Sequence, residues 1–295
     1  MMSRLNWPRE LARPDGRAPA ELMLPESNIV LDLHGNPAEA KLHVASDGNH
    51  HMALAETVAA FLEEAPEAKD VFYMTVPPRI VLAAAEAGAV RIGNLDVPIT
   101  PHVVIGPEGL LNQFVERGLL YYHAPFMQSR GNAVLVRSGN PKGIRSVADL
   151  FRPDVILALS NPVTETASFS VYEKEIGRHL GYGGVAAVLR SGRVPKTSQI
   201  HHREIPEILA RGEADASLVY YHLALRYRRI FPDLFDLVPT GPMAADGHPE
   251  ASNNTTAYHV GVSDNGGQFG APFRAFLFSD AVTAIYGKHG LVRPV

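Results

Sequence analysis

Adjacent His50 and His51, with Glu165 and His222 further along, supply the imidazole and carboxylate groups that ligate zinc or another transition metal. No C-x-x-C or H-E-x-x-H spacing accompanies them, so the same histidines read more readily as solvated loop residues. A second chemistry is the capture of a small anion. Five short segments, 47–51, 75–79, 128–130, 164–168 and 220–222, stand near the ends of expected strands. In open α/β sheets such places present the free N–H groups of helix N-termini to a ligand. The donors and charges they carry are Asn49, His50, His51, Thr75, Arg79, Ser129, Arg130, Thr164, Glu165, Thr166 and Tyr220. Each has a plainer reading beside the functional one. Thr164 to Thr166 suit a helix cap, Tyr220 suits packing at a strand end, and Arg79 and Arg130 suit exposed ion pairs.

Covalent chemistry has little to work with. The chain has no cysteine, which removes thiolate nucleophiles, thiolate metal sites and disulfides. No G-x-S-x-G, H-E-x-x-H or phosphate-loop pattern occurs. An acid–base pair of Glu165 and His222 is the one enzymatic arrangement to weigh against a binding protein, and the expectation is that the chain is not an enzyme.

The elements that must position these residues alternate between strand and helix patterns, the signature of an α/β fold with βαβ units. A strand at 41–46 leads through Asp47-Gly48-Asn49 into a helix whose apolar residues Leu54, Val58, Phe61 and Leu62 recur at helical spacing, with Asp47 or Asn49 as its cap. A strand at 71–76 runs through Pro77-Pro78 into a helix that stops at Gly88. Residues 89–101 read as irregular, 102–105 as a strand and 108–117 as a helix ended by Gly118. The alternation resumes with strands at 132–137, 155–159, 185–189 and 216–220 and helices at 146–150, 167–180, 204–211 and 223–229. A run at 234–238, a loose polar stretch at 241–255, a strand at 257–262 and helices at 272–278 and 280–289 close the chain.

Composition bounds the partners. With 295 residues, 46% of them hydrophobic, the chain can bury a core for one or two compact units. A net charge of −4 offers no basic face to nucleic acid. No run of about 18 apolar residues marks a membrane span. The first 26 residues carry charges and prolines and lack the apolar core of a secretory leader, so the sequence as written reads as cytoplasmic.

Taken in order, several segments resemble the molybdate and related oxyanion receptors of bacterial transporters, which have the type II periplasmic-binding fold. These are the strand-then-helix start at 42–61, the run from His102 to Leu119, the strand and Gly-Asn-Pro turn at 132–141, and the element at 144–150. Gly212-Glu213-Ala214-Asp215-Ala216-Ser217-Leu218-Val219-Tyr220 is close to a family segment, and 258–262, 275–277 and 286–291 resemble its tail. The resemblance implies two α/β lobes with central mixed sheets joined by crossover strands, the ligand between them and hinge closure on binding. It implies lobe 1 at 27–128 and 238–295, lobe 2 at 129–237 and an extension at 1–26. The implied ligand is an inorganic oxyanion of the molybdate, tungstate or sulfate type, held by neutral donors that include a tyrosine matching Tyr220. It further implies no cofactor beyond that ligand or a divalent metal ion, a transporter membrane component as partner, a monomer and a periplasmic location. The alternatives are a metal-binding protein built on His50, His51, Glu165 and His222, and a cytoplasmic ligand sensor or enzyme on the same fold.

Overall fold

The computed structural model describes residues 32–92, 95–163, 165–181, 197, 201–250 and 256–294. They form two compact units, one of 32–128 with 257–294 and one of 129–256. The first unit is built on a seven-stranded mixed sheet. Its strands, in spatial order, are Leu33–His34, Val71–Thr75, Leu42–Ser46, Val103–Pro107, Ala257–Ser263, Leu120–Ser129 and Leu291–Val292. Leu42–Ser46 pairs in parallel with both Val71–Thr75 and Val103–Pro107, while Ala257–Ser263 pairs antiparallel with its two neighbours.

These central strands are largely apolar on both faces because helices cover both. Successive side chains alternate between the layers. Leu42, Val44, Val71, Tyr73, Val103 and Ile105 pack in the layer with the helices His51–Glu64, Gly270–Leu277 and Asp280–Lys288. Ala45, Phe72, Met74 and Val104 pack in the layer with Pro78–Ala87 and Glu108–Glu116. The helix Pro78–Ala87 stops as expected, because Gly88 takes the left-handed conformation at φ +62° and its N–H donates to the carbonyls of Ala84 and Ala85.

Two stretches differ from the sequence reading. Residues 89–101 are not irregular: Ala89–Ile92 and Leu95–Pro98 form an antiparallel hairpin, and the Gly93-Asn94 pair between them is a two-residue hairpin signal. The strand Leu120–Ser129 has no counterpart in that reading. Exposed Tyr121 and Tyr122 blur its alternation, and Pro125 argues against a strand unless a bulge accommodates it. The register with Ala257–Ser263 does shift there, from Tyr258 opposite Met127 to His259 opposite Pro125.

The second unit has a described sheet of Phe235–Pro239, Asn132–Arg137, Ala216–Tyr220 and Leu157–Ala158, in that order. Ala216–Tyr220 runs parallel to Leu157–Ala158 and antiparallel to Asn132–Arg137. The helices Thr166–Leu180, His201–Ala210 and Tyr221–Ile230 and the 3-10 turn Val147–Phe151 accompany it. The strand expected at 185–189 lies outside the described residues.

The expected boundary at 238 moves to 256. Phe235–Pro239 pairs along its whole length with Asn132–Arg137, and the described part of the stretch after it, up to residue 250, is tied down rather than loose. Met243 and Pro249 form a bridge, and Asp246 accepts a 2.7 Å bond from Arg130. The chain passes between the units at 128–129 and 256–257. Beside those passages the Ser129 N–H donates to the Thr256 carbonyl, and the Thr256 N–H donates to Ser129 Oγ. No helix among the described residues is long and apolar enough to cross a membrane.

Candidate functional site

In the first unit the candidate residues gather at the carboxyl ends of two paired strands, since Ser46 and Thr75 are register partners. After Ser46 the chain makes the 3-10 turn Gly48–His50 and enters the helix His51–Glu64. Neither Asp47 nor Asn49 caps that helix, which corrects the expectation from sequence: no side-chain cap bond is made there. The Asp47 carboxylate turns inward instead. Its Oδ2 accepts from Asn49 Nδ2 at 2.9 Å, and its Oδ1 lies 3.4 Å from His50 Nε2 without hydrogen-bond geometry.

His50 is wholly buried among Phe126, Tyr258 and Tyr286. Both ring nitrogens are engaged. Ser46 Oγ donates to the Asp47 carbonyl at 3.1 Å, so it accepts from His50 Nε2 at 3.0 Å. Nδ1 then accepts from the Tyr286 hydroxyl at 2.9 Å. The hydrogen-bond network thus assigns the proton to Nε2. Burial, followed by the nearby Asp47, pushes the Tyr286 hydroxyl well above the usual tyrosine range, so it remains a donor. His51 is buried as well, with Nδ1 2.8 Å from the Gly48 carbonyl. At the neighbouring strand end, Thr75 Oγ1 donates to Asp32 at 3.0 Å, and Arg79 is exposed in the first turn of Pro78–Ala87.

In the second unit, Asn132 stands opposite Tyr220 and the Tyr221 N–H donates to the Gly131 carbonyl, which places Ser129 and Arg130 close along the chain to Tyr220. Tyr220 is buried at the N-cap of Tyr221–Ile230; its ring stacks on His222 at 5.3 Å, and its N–H donates to the Tyr172 hydroxyl. Burial, then Tyr220 and Tyr227, hold the Tyr172 hydroxyl far above its ordinary range. Arg130 is occupied by Asp246, whose carboxyl is thereby held below the usual range, and His248 from the same stretch lies 2.9 Å from the Tyr221 hydroxyl.

Thr164 lies outside the described residues. Glu165 accepts from Thr197 Oγ1 at 2.9 Å, and the exposed Thr166 donates back to the Pro162 carbonyl. The expected capping role of this segment is not realised, because Glu165 is the N-cap of Thr166–Leu180 and makes no side-chain cap bond.

One property unites five of the described helices. His51–Glu64, Pro78–Ala87, Thr166–Leu180, Tyr221–Ile230 and Gly270–Leu277 have no side-chain cap bond and no acidic residue in the first turn. Each follows the carboxyl end of a strand, Tyr221–Ile230 directly and the others after a short connection. Among the described residues their first N–H groups and the positive ends of their dipoles therefore meet no cap bond and no first-turn carboxylate, although the N-cap residue of Thr166–Leu180 is the acidic Glu165; such N-termini attract anions. The helix Glu108–Glu116 differs in placing Glu108 in its first turn. For a metal ion the outlook is poorer: among the described residues no group of three or more His, Asp or Glu side chains is arranged to hold one.

Sequence reasoning missed Tyr286, which stands 236 positions from His50, and no local pattern reveals such a pairing. It also passed over Ser46 and Ser160, which end or follow a short apolar strand as Thr75 does. That recurrence was a usable signal.

Comparison with known proteins bears on the same region. A family model for bacterial extracellular solute-binding proteins matches residues 42–292. No curated protein matches the sequence. Among solved structures, the chain is similar to L-phospholactate-bound PEB3, a protein of Campylobacter jejuni, at 16% identity and a TM-score of 0.61, covering 86% of this chain and 100% of that one. It is similar to the periplasmic molybdate-binding protein of Azotobacter vinelandii at 15% identity and a TM-score of 0.59, with coverage of 86% and 100%. It is similar to the sulfate-binding protein SubI of Mycobacterium tuberculosis at 16% identity and a TM-score of 0.59, with coverage of 85% and 86%. At these identities the likeness establishes the fold, that of the periplasmic binding proteins.

Proposed function

This chain belongs to the bacterial extracellular solute-binding proteins, and from that premise we propose that it captures a small tetrahedral oxyanion of the molybdate, tungstate or sulfate kind without transforming it. The observation that carries the reading is the presence, in each unit, of helix N-termini that among the described residues take no side-chain cap bond and carry no acidic residue in the first turn. A doubly charged anion is stabilised by converging N–H dipoles without a full countercharge. The neighbours named for molybdate, sulfate and L-phospholactate support it, since each of those ligands presents a tetrahedral oxyanion or a tetrahedral phosphoryl group.

Within the first unit Asn49 and Arg79, and within the second Arg130, Thr166 and Tyr220, are the side chains proposed for anion contact, each beside the helix N-termini of its own unit. His50, Thr75 and Ser129 already spend polar atoms on the fold. Arg130 must exchange Asp246 for the ligand to take part. The membrane component of an ABC transporter is the partner this reading implies.

A thermal-shift series with sulfate, molybdate, tungstate, phosphate and L-phospholactate on chelator-treated protein tests it. A ligand at 100 times its dissociation constant adds about 2.7 kcal/mol of stability. We expect at least one of these anions to raise the melting temperature and Tyr220→Phe to weaken that rise. Stabilisation by zinc alone, abolished in His51→Ala, would replace the oxyanion reading with a metal-binding one.

A further inference from the structure

The fold leaves a few buried polar side-chain atoms without a hydrogen-bond partner, and two of them, Asp47 Oδ1 and Ser160 Oγ, stand between a strand's carboxyl end and an uncapped helix. Asp47 Oδ1 has the Nε2–H of His50 3.4 Å away. Ser160 has no comparable neighbour. It is 1% exposed, and among the described residues its hydroxyl meets no donor or acceptor.

The surroundings of Ser160 are, by contrast, closely laced. The Leu159 carbonyl accepts from the Thr197 N–H, the Asn161 N–H donates to Thr197 Oγ1, and Asn161 Nδ2 donates to the Thr197 carbonyl. Asn161 Oδ1 accepts from the Val163 N–H, and the Asn161 carbonyl accepts from the Glu165 N–H. Every described neighbour of Ser160 in this turn has a partner. A buried hydroxyl left out of so complete a network costs stability, and alanine there would avoid that cost.

We infer that Ser160 is a ligand-binding residue, its Oγ–H donating to the captured anion beside the N-terminus of Thr166–Leu180. The assignment rests on the oxyanion reading and adds a specificity-determining donor to it. A hydroxyl suits the task because it rotates to meet an acceptor and brings no charge. Its unmet bond in the unliganded protein is then met on binding.

The two roles predict opposite signs, and that makes the inference testable. Titration calorimetry of wild type and Ser160→Ala with sulfate and molybdate, alongside melting of both unliganded proteins, reads them together. The expected result is a loss of about tenfold or more in affinity, the worth of a hydrogen bond to a charged acceptor, with an unliganded melting temperature equal to or above that of wild type. Ser160→Cys, close in size but a weak donor, should bind as poorly as Ser160→Ala. Unchanged affinity in Ser160→Ala, with wild type binding normally, overturns the assignment alone. If wild type binds none of the tetrahedral anions, the oxyanion reading falls and the assignment falls with it.

Discussion

The loop that follows Ser46 in the first unit and the turn around Ser160 in the second occupy equivalent places, each between a parallel strand and a helix, yet they treat their polar groups differently. In the first, Ser46, Asp47, Asn49 and His50 bond to one another and to Tyr286, and the oxygen left over, Asp47 Oδ1, still lies 3.4 Å from His50 Nε2. In the second, the backbone and Thr197 are laced together while the central hydroxyl stays unmatched. A polar group that the fold satisfies contributes to stability, and one that it leaves buried and alone detracts from it. The contrast teaches that residue type and position alone do not mark a binding residue; what the fold has already done with the side chain decides.

The largest test of that contrast is His50→Ala. It removes a fully buried ring from between Phe126, Tyr258 and Tyr286 and strands the Tyr286 hydroxyl. We expect a loss of about 3 kcal/mol or more in chemical denaturation. A stable His50→Ala that has lost anion binding would break the comparison, because His50 would then belong to the ligand. Thr197→Val probes the other side. Thr197 Oγ1 donates to Glu165 and accepts from the Asn161 N–H in a buried setting, so its removal should cost about 1–3 kcal/mol. A smaller change, Asn49→Ala, deletes the bond to Asp47 at a half-buried position and should cost about 1 kcal/mol. If Asn49→Ala weakens anion binding by more than it lowers stability, Asn49 serves both the loop and the ligand.

These distinctions set the limit of what the sequence could tell. The strand Ala216–Tyr220 was legible to the residue, the helix Thr166–Leu180 to within one position, and the helices His51–Glu64 and Pro78–Ala87 as elements, the latter with its stop at Gly88, because short apolar runs, proline at a helix start and a glycine stop are local signals. Leu120–Ser129 was not legible, since its alternation is broken by exposed Tyr121 and Tyr122 and by Pro125 at a bulge. The segments of the site were legible as strand ends. Their internal chemistry was not. The partners of His50 and Ser129 come from Tyr286 and Thr256, far along the chain, and only the folded chain brings them near. Asp47 is a good cap by type and fails to cap because a buried imidazole and an amide claim its carboxylate.

Acid should sharpen the comparison between the two units by the smallest margin. In the first unit His43, His102 and His259 are held below the ordinary histidine range, each chiefly by burial; the last two are lowered further by a neighbouring histidine. His102 Nδ1 accepts the His43 backbone N–H, and the two rings stack at 4.9 Å. Protonating His102 forfeits that bond and sets charge beside the second ring. A histidine depressed on folding binds its proton more weakly in the native state, so stability is full above about pH 6.5, the unfolded value, and declines as pH falls toward the lowered native one. The second unit has His248 displaced in the same sense, but its depressed carboxylates, Asp149 and Asp246, lose their contribution only in a more acidic window, below about pH 3.8. Hydrogen exchange followed from pH 7 to pH 5, corrected for the intrinsic exchange rate, should therefore show protection falling first in strands Leu42–Ser46 and Val103–Pro107 and later in Ala216–Tyr220. His102→Asn, which keeps a polar group at that position without an imidazole to protonate, should flatten the pH dependence of the first unit. Equal loss in both units, or no flattening, would trace the acid response to groups other than this pair.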